Sequence, residues 1–157
     1  LAIITVIGRC VGAGDFGQAA YYAKKMMKVT YLINGLCSAL VILTLPLSTR
    51  LYGLSKEALD LAMILVVIHC GCGIILWPAS FCLANVLRAA NDVRFPMCAS
   101  ILSMFIFRIG FSYVLAIGLG WGAIGVWWAM VADWAVRSAC FLWRFSSGKW
   151  TSFYQTA

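Results

Sequence analysis

The sequence predicts an all-α integral membrane protein: a polytopic helical bundle with four full transmembrane helices and the end of a fifth. Three observations predict it. Of the 157 residues, 64% are hydrophobic and 11% charged, with a mean hydropathy of +0.95, whereas soluble domains carry roughly 25% charged residues. Apolar runs recur at about the 20 residues needed to cross a hydrocarbon core as a helix. Most of the charges gather in the short stretches between those runs.

Taken in order, residues 1–8 read as the end of a helix whose start is missing, so the chain is expected to be a fragment. The run is too short to span and lacks a preceding basic flank, which excludes a signal peptide. Residues 9–28 read as a cytoplasmic loop in which Ala19 to Lys28, with Lys24, Lys25 and Lys28, can form a short amphipathic surface helix. Gly12, Gly14 and Gly17 match a G-x-G-x-x-G pattern, but a dinucleotide site needs an acid about 20 residues on. No acid follows before Glu57, so these are loop glycines.

The first span is 29–49, uncharged, with Pro46 expected to kink or end it. A mixed loop with Arg50, Lys56, Glu57 and Asp60 leads to the second span, 61–87. That run is longer than a straight crossing needs, and Trp77-Pro78 supplies a kink that frees backbone carbonyls for neighbouring helices to satisfy. It must end at Asn91-Asp92, which is turn chemistry ahead of Pro96. Arg88, Asp92 and Arg94 make this turn too costly for lipid and set it at a water interface. The third span is 97–118, followed by the uncharged turn Gly118 to Gly122 and the fourth span, 123–144. Residues 145–157 form a cytoplasmic tail, with Trp143 and Trp150 expected at the membrane interface.

Orientation follows from the basic residues. With the 88–94 turn in the cytoplasm, that side holds Arg9, Lys24, Lys25, Lys28, Arg88, Arg94, Arg144 and Lys149, and the other side holds Arg50 and Lys56. Eight against two places the C-terminus in the cytoplasm of a multi-pass protein in the cell membrane, by expectation a bacterial plasma membrane.

Two sets of residues are candidates for function. Arg108, Asp133 and Arg137 are charged inside spans. Counting from Gly120, Arg108 lies twelve residues back and Asp133 thirteen forward, so both sit roughly 18 to 20 Å from that turn. An ion pair at that depth lowers the penalty on both. Asp133 and Arg137, four apart with the acid first, also suit an intrahelical pair, and a static structural pair stands beside a proton-relay or substrate role. The second set is His69, Trp77, Pro78, Phe81 and Asn85. The last four recur at helical spacing near the kink, where aromatic and amide groups suit a small amphiphilic or cationic ligand; ordinary helix packing is the alternative.

Other classes are excluded. The net charge of +7 is spread among loops without a basic aromatic stripe, so no nucleic-acid partner is expected. His69, Cys70 and Cys72 do not face one way on a helix, and no second cluster completes a metal site. The seven cysteines lie mostly within apolar runs and behave as small apolar residues rather than a disulfide framework. No catalytic constellation survives a check of spacing, and neither an enzyme nor a cofactor is expected.

The segment Leu87-Arg88-Ala89-Ala90-Asn91-Asp92-Val93-Arg94-Phe95-Pro96 resembles the leucine–arginine turn of multidrug and toxic compound extrusion (MATE) transporters. Phe107-Arg108-Ile109, Gly125-Val126-Trp127, Asp133-Trp134-Ala135-Val136-Arg137 and Gly148-Lys149-Trp150 follow in the family's order, and 8–19 is similar to its short glycine-alanine loop. The resemblance implies a two-lobe secondary transporter that expels drugs or organic cations by antiport with H+ or Na+. This chain would be a MATE-like partial second lobe, whose partners are the lipid bilayer, the missing N-terminal lobe and the substrate. The carboxylate that some members carry on the second of these spans is absent from 61–87, which leaves the coupling ion open. A lipid-linked saccharide flippase of the same superfamily and a non-transporting truncated scaffold are the alternatives.

Overall fold

A computed structural model describes residues 2–51, 53 and 55–154, without the side chains of 50, 51 and 152–154. Every regular element among them is helical: α1 (Ala2–Gly12), α2 (Phe16–Leu51), α3 (Lys56–Trp77), α4 (Leu83–Ala89), α5 (Arg94–Ser103) and α6 (Gly122–Ser146). A π-helical turn, Pro78–Cys82, joins α3 to α4. Two further π-helical stretches, Met104–Phe111 and Val114–Gly118, prolong α5. A 3-10 segment, Lys149–Tyr154, follows α6.

Three continuous helices are long and apolar enough to cross a membrane: Phe16–Thr49, Lys56–Ala89 and Arg94–Gly118. They cover the first three expected spans. The expected fourth span, 123–144, is helical within the 25 residues of α6, but α6 is less apolar because it carries Asp133, Arg137 and Arg144.

The expected loop 9–28 is corrected to three residues, Ala13 to Asp15. Gly14, at φ 73°, adopts the left-handed conformation that closes a helix, and its N–H bonds the carbonyl of Val11 at 2.9 Å. Asp15 then accepts the N–H of Gln18 at 2.8 Å and starts α2 as an N-cap. The surface helix expected over 19–28 is therefore the first part of α2, whose Ala19 and Ala23 are buried against α1 and α4.

Pro46 does not end α2, which runs on to Leu51. Part of the expected 50–60 loop, at 52 and 54, lies outside the described residues, as does the end of the tail, 155–157. From Lys56 the chain is already helical, capped by Ser55, whose hydroxyl accepts the N–H of Ala58 at 3.4 Å.

The core lies at the end of the bundle near the Asn91 turn. Ile7 and Val11 of α1, Ala19 and Ala23 of α2, Leu83, Val86 and Leu87 of α4 and Phe141 of α6 are buried together. Trp150 joins them and is 3% exposed. At this end of the bundle it faces inward: its ring stacks on Phe145 at 5.3 Å, and its Nε1 donates to the Phe145 carbonyl at 3.1 Å. Packing inside satisfies both the ring and its N–H. Trp143, by contrast, is exposed.

Candidate functional site

The anchor turn is built as the sequence requires. α4 stops at Ala89, and Asn91 takes φ 66°, a left-handed conformation that asparagine tolerates better than most residues. Asp92 is 2% exposed and ion-paired to Arg144 at the end of α6, Nε to Oδ2 2.8 Å. Arg144 also lies over the Phe95 ring, 4.9 Å from its centroid. Arg88 donates to Asn85 Oδ1 at 3.3 Å, and Arg94 is exposed. The turn is thus locked to α6 rather than closed on itself.

At Pro78 the ring removes one N–H from the helical ladder, and the next residues rewind as a π-turn. Three carbonyls in the turn before it receive side-chain donors from neighbouring helices. Asn34 Nδ2 reaches the Gly73 carbonyl and Ser138 Oγ the Leu76 carbonyl, each at 3.0 Å. Tyr31 OH donates to the Ile75 carbonyl, also at 3.0 Å. The carbonyls around the π-turn are therefore satisfied by α2 on one side and α6 on the other, while the helix itself runs on continuously.

The intramembrane charges converge. Asp133, fully buried, shares Oδ2 between Arg137 Nη2 at 3.1 Å and Arg108 Nε at 3.4 Å. Its Oδ1 accepts a hydrogen bond from the Ser103 hydroxyl. The depth match of Arg108 and Asp133 and the four-residue pairing with Arg137 are thus realised together. Arg108 lies in the π-helical stretch Met104–Phe111, and π-turns mark functional positions often.

The aromatic candidates join the same cluster. Trp77 stacks on Phe81 at 5.3 Å, and the Arg137 guanidinium lies 4.8 Å above the Phe81 ring. Phe81 meets Trp134 edge-on at 6.4 Å, and Trp134 in turn meets His69 at 5.3 Å. Pro78 is buried at the π-turn, while Asn85 sits two turns away, engaged with Arg88. His69 also faces Trp127 at 6.1 Å and lines a groove of about 420 Å³ with Ser38, Val41 and Trp127. Among the described residues no group of three His, Cys, Asp or Glu side chains is placed to hold a metal ion.

Ser103, Tyr31, Asn34, Ser138 and Arg144 were not foreseen. A hydroxyl or amide in an apolar run has no sequence signal that names its partner. Arg144 had one: the expected fourth span ends on the same expected side as Asp92.

The MatE family model matches residues 1–114 of this sequence. The chain belongs to the MatE family. It is 32% identical over 151 residues to the uncharacterized transporter YisQ of Bacillus subtilis (strain 168), a match that covers 92% of this chain and 32% of that protein. It is 34% identical over 61 residues to the probable multidrug resistance protein NorM of Synechococcus sp. (strain ATCC 27144 / PCC 6301 / SAUG 1402/1), covering 39% of this chain and 13% of that protein. No solved structure matches. This MatE chain thus spans about a third of the Bacillus relative's length, and its apolar helices make it a multi-pass membrane protein. The matched segment holds the π-helical turn at Pro78, the 88–94 turn and Arg108, while Asp133 and Arg137 lie beyond it.

Proposed function

We propose that this chain is part of the second lobe of a secondary active transporter that exports drugs or organic cations by antiport with H+ or Na+, and that it is not an enzyme. The observation that carries the reading is the match to a named transporter across 92% of the chain. The linked aromatic and charged side chains around the π-helical turn support it. Trp77 and Trp127, partly exposed, offer the faces that organic cations prefer. The eight-to-two distribution of basic residues supports a cytoplasmic C-terminus in a bacterial plasma membrane.

The test is ethidium efflux from cells expressing the complete gene, with proton and sodium gradients collapsed separately. Efflux abolished by collapsing one gradient is expected and names the coupling ion. A folded, membrane-inserted protein that expels no ethidium under any gradient would move the assignment to a lipid-linked saccharide flippase or a scaffold.

A further inference from the structure

We infer that Arg108 is an anion receptor at mid-membrane, and that the group it takes is the carboxylate of an amphiphilic, zwitterionic substrate. The inference rests on the transporter reading above and narrows its substrate class.

Two guanidiniums and one carboxylate meet at this point, so the contact group of Arg108, Asp133 and Arg137 has one positive charge in excess. The excess belongs to Arg108. Arg137 makes the shorter contact, is 12% exposed and is covered by the Phe81 ring. Arg108 meets Asp133 through Nε at 3.4 Å, and its side chain is 41% exposed. Among the described residues neither of its terminal nitrogens donates a hydrogen bond. Asp133 would stay compensated by Arg137 and Ser103 if Arg108 turned away from it. The receptor therefore exposes no buried carboxylate when it engages a ligand.

Depth decides what that ligand is. Arg108 lies fourteen residues from Arg94 and ten from Gly118, the ends of its span, or about 21 and 15 Å at a helical rise. A guanidinium left in hydrocarbon at that depth is costly and lines a cavity or finds a counter-charge. Phospholipid phosphates lie at the edge of a core about 30 Å thick and do not reach its middle. The two terminal nitrogens present the planar fork that fits a carboxylate through two parallel hydrogen bonds. A carboxylate from the protein's remaining length has the same chemistry, and the test separates the two sources.

The experiment uses the purified full-length transporter in detergent and in nanodiscs containing phosphatidylglycerol, near neutral pH. The probes are rhodamine B, a carboxylate zwitterion, and its ethyl ester, a cation of nearly the same shape. Binding is read by fluorescence anisotropy in wild type, Arg108→Gln and Arg108→Lys, each checked for a monodisperse size-exclusion profile. The wild type is expected to favour the carboxylate by about tenfold or more, the worth of a charged hydrogen-bonded pair. Arg108→Gln should bring that ratio to about one, while Arg108→Lys, keeping the charge but losing the fork, should fall between.

Equal wild-type affinities would overturn the proposal and assign the guanidinium to a carboxylate of the protein itself. A preference seen in detergent and lost in the nanodiscs would assign it to anionic lipid and overturn the proposal too. So would a preference that survives in Arg108→Gln. Failure of a folded wild type to bind either probe would instead overturn the drug-export reading, and this proposal with it.

Discussion

Arg144 Nε lies 2.8 Å from Oδ2 of Asp92, joining the end of α6 to the turn between α4 and α5 across 52 residues of sequence. Asp92 is 2% exposed, and among the described residues its charge is compensated by that guanidinium. Removing one partner of a buried pair leaves the other charge desolvated and unpaired. Arg144→Ala is therefore expected to destabilise the full-length protein by about 3 kcal/mol. Arg144→Met combined with Asp92→Asn should recover part of the loss. Thermal unfolding followed by size-exclusion fluorescence measures both, and a double variant less stable than Arg144→Ala would contradict the assignment.

At the intramembrane cluster the three charged residues should not be equivalent. Asp133→Ala leaves Arg108 and Arg137 facing each other without their carboxylate, and a loss of 3 kcal/mol or more is expected, on the order of breaking a buried ion pair. Arg108→Ala removes the longer and more exposed contact and leaves Asp133 with Arg137 and Ser103. Its loss should be smaller, about 1 kcal/mol. Parallel melting curves decide it: an Arg108→Ala protein as unstable as Asp133→Ala would show that Arg108 is the essential counter-ion.

Gly125 lets α6 approach the end of the preceding π-helical stretch. A Cβ there would stand 2.9 Å from the backbone carbon of Leu115 and 3.0 Å from the nitrogen of Ala116. Backbone cannot step aside as a flexible side chain can, so Gly125→Ala should cost about 1 to 3 kcal/mol by overpacking. The control is Gly71→Ala, where a Cβ meets nothing within 4 Å. Equal melting temperatures for the two variants would refute the close approach.

The donors around Pro78 should act through the π-turn. Ser138→Ala removes the hydrogen bond to the Leu76 carbonyl, and Asn34→Ala the one to Gly73. Each is expected to cost about 0.6 to 1 kcal/mol, the range for hydrogen bonds between membrane helices. In a Pro78→Ala background the helix regains an N–H and rewinds, so the penalty of Ser138→Ala should shrink. A double-mutant cycle reads that coupling, and strict additivity would show that Ser138 does not serve the π-turn.

Much of the architecture was legible in the sequence because the bilayer simplifies the problem. Apolar runs of spanning length place three helices, Asn91-Asp92 ends one of them, and Pro78 marks the turn where it rewinds. The boundaries near the water were harder to read. A Gly14-Asp15 pair was enough to close α1 and cap α2, yet Ala19 to Lys28 read as a separate surface helix within a loop because charge, rather than capping, set the expected boundary. Residue type does not say which way Trp150 faces; stacking on Phe145 turns it into the core.

The cluster divides along the same line. Equal distance from the Gly118 to Gly122 turn is a one-dimensional property, so the meeting of Arg108 and Asp133 could be read from spacing and rise per residue alone. Rotation about each helix axis is not one-dimensional. The sequence by itself determined the class of protein, the three apolar spans, the irregular turn at Pro78 and the depth of the charges, because hydrophobicity, proline and helical rise act locally along the chain. Only the tertiary structure decided that Ser103 completes the Asp133 site, that Arg144 pairs with Asp92, and that Phe81 covers Arg137 while Arg108 stays open. Those pairings depend on which helix faces meet and at what angle, and many side chains together set that geometry.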